Sequence, residues 1–253
     1  MRKMMTKLLM VILVLATAPV IAVAETEQGT GATTSMTVAQ LEQAGDEART
    51  SKHYEEAVDN FSAAIRRDKK NPVLYNKLGL TYLRLNNLRA AKYNFQKAVK
   101  YNSKFADAIN NIGAVQYMQK DYGAATQQFK KAIALDETRS SFHVNLGASW
   151  FAQKKLDRAI AEYARALELN PDALAAGNAG VAAQIASPEE RARYSYMLAK
   201  IFARRGETDE CLRNLRRAKE EGYPDLANIY KDPEFAKVWS DPRLGEIAPS
   251  PQN

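Results

Sequence analysis

Glycine recurs in this chain at a fixed interval: Gly45, Gly79, Gly113 and Gly147 fall 34 residues apart. Ala57, Ala91, Ala125 and Ala159 keep the same interval, as do Phe61, Phe95, Phe129 and Tyr163, and then Ala64, Ala98, Ala132 and Ala166. Four columns held in one register over four periods mark a solenoid, in which each repeat is a supersecondary unit stacked on its neighbour.

Within a period the apolar residues recur at three and four. Tyr75, Leu78, Gly79 and Tyr82 form one such stripe, and Ala91, Phe95 and Ala98 form a second. Each stripe is one face of a helix. The polar break Leu85-Asn86-Asn87 between them predicts an antiparallel helical hairpin. The small columns allow close approach: Gly79 is expected opposite Ala91, with the aromatic column filling the gap to the next hairpin. A lone hairpin cannot bury such a face, so neighbours must stack. No stretch alternates with period two for long, and the expected class is all-α.

Two of the repeats carry a longer pattern: Tyr75-x2-Leu78-Gly79-x2-Tyr82 with Ala91, Phe95 and Ala98, and His143-x2-Leu146-Gly147-x2-Trp150 with Ala159, Tyr163, Ala166 and Pro171. This resembles the tetratricopeptide repeat. The repeat at Ile109, Ile112 and Gly113 departs from it, having Gln116 where an aromatic is usual. The first repeat, with Leu41, Ala44 and Ala48, departs further. A degenerate fifth copy is read in Leu198, Phe202, Gly206, Cys211, Leu215 and Ala218. The resemblance implies a right-handed α-α superhelix of stacked hairpins whose first helices line the concave face.

The ends read differently. Residues 1–24 have a basic start (Arg2, Lys3, Lys7), an apolar run from Leu8 to Ala16, and an Ala22-Val23-Ala24 ending before Glu25. That is the pattern of a secretory signal peptide and predicts an exported, periplasmic protein. The alternative is an uncleaved inner-membrane anchor, since Leu8 to Ala24 reaches the lower edge of spanning length. Cleavage would lower the formal charge of +7 by three, to +4. Residues 25–37 should be a flexible leader, 38–173 the four repeats, 174–186 an irregular connection and 187–222 the fifth hairpin. Ser187-Pro188-Glu189-Glu190 predicts a helix start with a capping box. Over 223–248, Asp232-Pro233 and Asp241-Pro242 each predict a short capping helix that covers the last hairpin. Residues 249–253 should be disordered.

Chemistry is not predicted. His143 stands in a structural column, His53 near a turn, and Cys211 in a small-residue column, so no metal set, catalytic constellation or cofactor site is expected. Nor is a nucleic-acid or small-molecule ligand. The expectation is a binding surface for a protein or peptide. Positions three before and one, four and five after each glycine share a stripe. The candidate groove residues are Asn76, Arg84, Asn110, Tyr117, Val144 and Phe151, with Lys77, Asn111 and Asn145 beside them. Amides both donate and accept, and so can grip a peptide backbone. Tyr117, Met118 and Phe151 would offer an apolar pocket. The stripe also runs from acidic (Glu42, Asp46) to basic (Arg193, Lys200, Arg204), which predicts a partner of mixed charge held with fixed polarity. The expected function is an adaptor of the cell envelope. The alternatives are an assembly factor acting through convex faces or end-to-end stacking, and an accessory subunit of an envelope enzyme.

Overall fold

The computed structural model describes residues 36–174 and 187–249. The chain divides into a unit Met1–Met36, of which Met36 alone is described, and a compact unit Thr37–Asn253 to which the following refers. The expected signal, leader and tail lie wholly or largely outside the described residues. So does the expected connection, apart from Leu174.

Eight helices form four hairpins: α1 (Val38–Thr50) with α2 (Tyr54–Arg67), α3 (Pro72–Arg84) with α4 (Leu88–Tyr101), α5 (Ala106–Met118) with α6 (Tyr122–Leu135), and α7 (Ser140–Ala152) with α8 (Leu156–Leu169). A fifth hairpin joins α9 (Pro188–Arg205) to α10 (Thr208–Glu220). Two 3₁₀ segments, Leu226–Tyr230 and Pro233–Val238, and α11 (Pro242–Ile247) follow. Among the described residues there is no strand, and each helix packs on its partner and on the next hairpin. The result is an all-helical solenoid.

Each hairpin reverses by the same device. The first helix ends in a bond from the sixth residue's N–H back to the first residue's carbonyl, as in Asn87 N to Tyr82 O (2.9 Å) and Asp121 N to Gln116 O (2.9 Å). That closure needs a left-handed residue just before it. Lys52, Asn86, Lys120 and Lys154 occupy this conformation, again 34 residues apart, with φ between 55° and 64°. In the fifth hairpin Gly206 takes the place, at φ 76°.

The glycine column receives a ring. A Cβ on Gly79 would lie 2.5 Å from Phe95, one on Gly45 2.6 Å from Phe61, and one on Gly113 2.7 Å from Phe129. Beyond the expected close approach of the two helices, the glycine admits the aromatic of its own hairpin. That ring also reaches onward, since Phe95 shares a buried cluster with Ile112 and Val115 of α5. In the fifth hairpin the same spacings put Ala199 in the glycine column and Leu215 in the aromatic one, both fully buried. The methyl group gained on one helix accompanies the bulk lost from the other.

The caps follow the local sequence. Asn71, Asp232 and Asp241 each accept a first-turn N–H beside a proline at the helix start. Ser187 accepts from Glu190 N, but the reciprocal bond of a capping box is absent there. The complete box belongs to Thr37 and Gln40. Beyond α10, Pro233–Val238 packs on α9 and α11 packs on α10, so the closing segment stands where a sixth hairpin would. Phe235, Val238, Leu244 and Ile247 are buried there, with Tyr196 stacked on Tyr223 at 4.2 Å.

Gly79→Ala is expected to lower stability by about 1–3 kcal/mol, because the new methyl meets the Phe95 ring. Combined with Phe95→Leu it should cost at least about 1 kcal/mol less than the sum of the single changes. Urea melts of the four species measure this coupling, and strict additivity would contradict the proposed fit.

Candidate functional site

First helices of successive hairpins approach each other more closely than second helices do, as α3 does α5 and α5 does α7. Curvature therefore places the first helices, and the predicted stripe, on the inner face.

On that face the structure brings the predicted polar residues together, but onto one another. Asn111 Nδ2 donates to Asn76 Oδ1 at 3.0 Å, and Asn145 Nδ2 donates to Asn110 Oδ1 at 3.0 Å. Asn110 Nδ2 in turn donates to Asn111 Oδ1 at 3.4 Å, so the four amides form one relay. Lys77 continues it, with Nζ 2.6 Å from Glu42 and 2.5 Å from Asp46. Hydrogen bonds to these carboxylates, working against partial burial, hold the Lys77 ammonium above its usual pKa. Three of these bonds, Lys77 to Glu42, Asn111 to Asn76 and Asn145 to Asn110, join residues 35 apart: the position two before a glycine reaches back to the position three before the previous one. At the last junction the register sets Met197 against Val144, and both lie in a single apolar cluster. The rungs thus run charged, amide, amide, apolar.

The expected apolar pocket is closed. Val144 is fully buried, Phe151 lies edge-on to Tyr194 of α9 at 5.5 Å, and Tyr117 packs on Tyr122 at 5.1 Å. Burial pushes the Tyr117 phenol up to about 12, with Tyr122 and Glu190 adding to the shift. The expected charge gradient is corrected as well. Arg193 pairs with Glu189 at 2.7 Å, Lys200 with Asp232 at 2.9 Å, and Arg204 with Glu234 through two bonds. Acids from α9's own first turn and from the closing segment neutralise the basic end, as Lys77 neutralises the acidic one. Arg84 differs. It is exposed, forms no ion pair among the described residues, and lies beside half-buried Leu80 and Leu83.

The remaining reactive groups are internal or exposed without partners for catalysis. His143 is buried, with Nδ1 2.8 Å from Glu162 and Nε2 3.3 Å from the Glu137 carbonyl. Burial pushes the Cys211 thiol up to about 12. His53 is exposed near the first turn. One cluster is invisible to sequence spacing: Lys130, Lys155 and Arg158 lie 4.9–5.1 Å from the ring centre of Trp150. Spacing along one helix cannot reveal it, because Lys130 comes from the preceding hairpin.

Family models described as tetratricopeptide repeat match residues 76–140 and 140–173. Together the matches span residues 76–173. As a class these repeats are modules of protein–protein interaction and are typically non-catalytic. The first hairpin falls outside both matches, although its Gly45 receives Phe61 as the others receive theirs. Among solved structures the chain is similar to pilF of Pseudomonas aeruginosa, at 20% identity and TM-score 0.56 over 83% of this chain and 88% of that one. It is similar also to a thermophilic TPR protein of Thermus thermophilus, at 18% and 0.52 over 80% and 99%. A third is MamA, at 20% and 0.51 over 74% and 92%. At these identities the likeness is one of fold. No curated protein matches the sequence significantly.

Asn110→Ala should destabilise the repeats by about 1–3 kcal/mol, since it removes the bonds that Asn110 makes to Asn145 and to Asn111. Denaturant unfolding measures it. A change below about 0.5 kcal/mol would mean that the relay contributes little. The raised Tyr117 pKa sets a further expectation. The folded state holds the phenol proton more tightly than the unfolded one, so this stability is complete below pH 10. It falls as pH rises from 10 towards 12, by about 2 kcal/mol. Urea melts at stepped alkaline pH should show a shallower decline in Tyr117→Phe.

Proposed function

We propose that the protein is a non-enzymatic adaptor that holds a polypeptide partner against the inner face of its second and third repeats. The observation that carries this reading is Arg84. On a face whose other predicted charges are neutralised internally, it is exposed beside Leu80 and Leu83, with Met118 half-buried on the next repeat. An unpaired guanidinium next to apolar side chains suits an extended segment bearing a carboxylate and an apolar neighbour. Asn76, Asn110 and Asn145 act in this reading through the relay, setting the spacing of the helices the partner meets. The closing segment covers the last hairpin, which supports an adaptor over a unit that stacks end to end.

The Arg2-to-Ala24 pattern supports export, and the proposed site of action is the cell envelope. Amino-terminal sequencing of the protein from cells should find a start near Glu25 if the segment is cleaved, and Met1 if it is retained as an anchor.

Photo-crosslinking side chains placed at Leu83 and Met118 should form adducts with the partner. One placed at Gln127 on the outer side of α6 should form none. Arg84→Glu should weaken capture about tenfold or more, in keeping with loss of a charge-assisted bond and gain of repulsion. Adducts from Gln127 alone, or capture unchanged by Arg84→Glu, would refute inner-face binding.

A further inference from the structure

The positive charge of this protein is concentrated between the end of α2 and the loop after α4. Between Arg66 and Lys104 stand eleven lysines and arginines and one acid, Asp68, a local charge of +10. The whole chain carries +7, so everything outside this segment sums to −3 (25 bases against 28 acids). The modest overall figure conceals a basic pole on an otherwise mildly acidic molecule.

The pole has a shape. On α4, Arg89, Tyr93, Lys97 and Lys100 follow at spacings of four, four and three, with Lys92 three after Arg89, which puts them on one outward helix face about 16 Å long. Lys69, Lys70 and Lys104 extend the charge into the loops at the carboxyl ends of α2 and α4. Lys131 repeats Lys97 one period on. None of Lys69, Lys70, Arg89, Lys92, Lys97, Lys100 or Lys104 forms an ion pair among the described residues, in contrast to the paired cations of α9. Lys97 lies 5.3 Å from the ring centre of Tyr93, which is itself 56% exposed. Val73, at the start of α3, is 42% exposed beside the same loops.

We infer that this face docks on an anionic phospholipid membrane. Unpaired cations on a rigid ridge suit a negatively charged surface, each contributing about fivefold to binding close to the headgroups. An exposed tyrosine and valine among them suit the interfacial zone, where amphipathic and small apolar side chains partition. Nucleic acid would use the cations and the tyrosine but would leave Val73 without a role. This docking uses the outer face and does not depend on the proposed inner groove, so the two can be tested separately.

The test is co-sedimentation of the full chain with vesicles of phosphatidylethanolamine alone and of phosphatidylethanolamine with about a quarter phosphatidylglycerol. Binding should be tighter to the anionic vesicles and should fall as salt rises from about 0.05 to 0.3 M. The amino-terminal segment, whose Arg2, Lys3 and Lys7 also favour anionic vesicles, is common to the parent and both triple variants and cancels in the comparison between them. The triple change Arg89→Gln, Lys97→Gln and Lys100→Gln should weaken the anionic component about a hundredfold and leave the thermal melt unchanged. Removing the same charge elsewhere, by Arg216→Gln, Lys231→Gln and Lys237→Gln, should weaken it by less than about tenfold. Equal binding to both vesicle types, or equal effects of the two triple variants, would overturn the inference. So would binding of a single-stranded oligonucleotide or of poly-glutamate as tight as that of the anionic vesicle, which would assign the pole to another polyanion.

Discussion

The stack depends on an aromatic ring lying where a side chain would otherwise begin. Because Gly79 has no Cβ, the Phe95 ring rests against the backbone of α3, and the two helices come close enough to exclude water along their length. The same ring touches the next hairpin through Ile112 and Val115. One residue thus serves closure of its own hairpin and adhesion to the next, so the two cannot be separated energetically. This is the physical basis for treating such arrays as chains of nearest-neighbour interactions. The fifth hairpin keeps the sum of volumes while changing both members, as Ala199 and Leu215 show, which is how a close-packed interior tolerates substitution.

The polar rungs impose a second constraint, and it decides what the inner face can offer. Buried amides need partners, because an unpaired amide costs more than its bond would contribute in water. Asn76, Asn110, Asn111 and Asn145 meet that need among themselves and hold successive first helices in register. Their donors and acceptors are thereby turned towards each other and away from any ligand. The inner face thus spends part of its hydrogen-bonding capacity and most of its charge internally, and it presents the Arg84 guanidinium among half-buried leucines. On the proposed inner-face reading, selection would rest less on backbone recognition than on one ionic contact and shape.

The sequence made some of this legible and hid the rest for identifiable reasons. The glycine and aromatic columns stood out because the same residue type returns every 34 positions, and the Asp-Pro caps because their chemistry is local. The rungs did not, because they join two different columns, 35 apart in the first four hairpins, whose residues change from Lys77 with Glu42 to paired asparagines, and the break in register before α9 moves Met197 53 residues from Val144. A search for complementary pairs at that spacing would have found three of the four. Val144 and Phe151 were read as groove residues on their own helix's pattern. Their burial depends on where α9 lies, and α9 enters after a break in register. The neutralising partners of Lys200 and Arg204 likewise sit on short irregular segments, where no periodicity points across to α9. Local signals carried over well; contacts between segments with no shared period did not.

Charge placement adds a further consideration. Along α4, Arg89 with Lys92, and Lys97 with Lys100, set like charges one turn apart, an arrangement that disfavours a helix by a few tenths of a kcal/mol per pair. The helix forms because Ala91, Phe95 and Ala98 are fully buried on its other face, and that burial far outweighs the repulsion. Carboxylates are not scarce in the chain: 28 of 29 lie outside the basic segment, and at the closing end they pair with nearly every cation they can reach. One or two of them on α4 would relieve the repulsion without touching the core. A local arrangement that opposes helix stability, in a molecule with the means to neutralise it, accords with the proposed docking on a negatively charged surface.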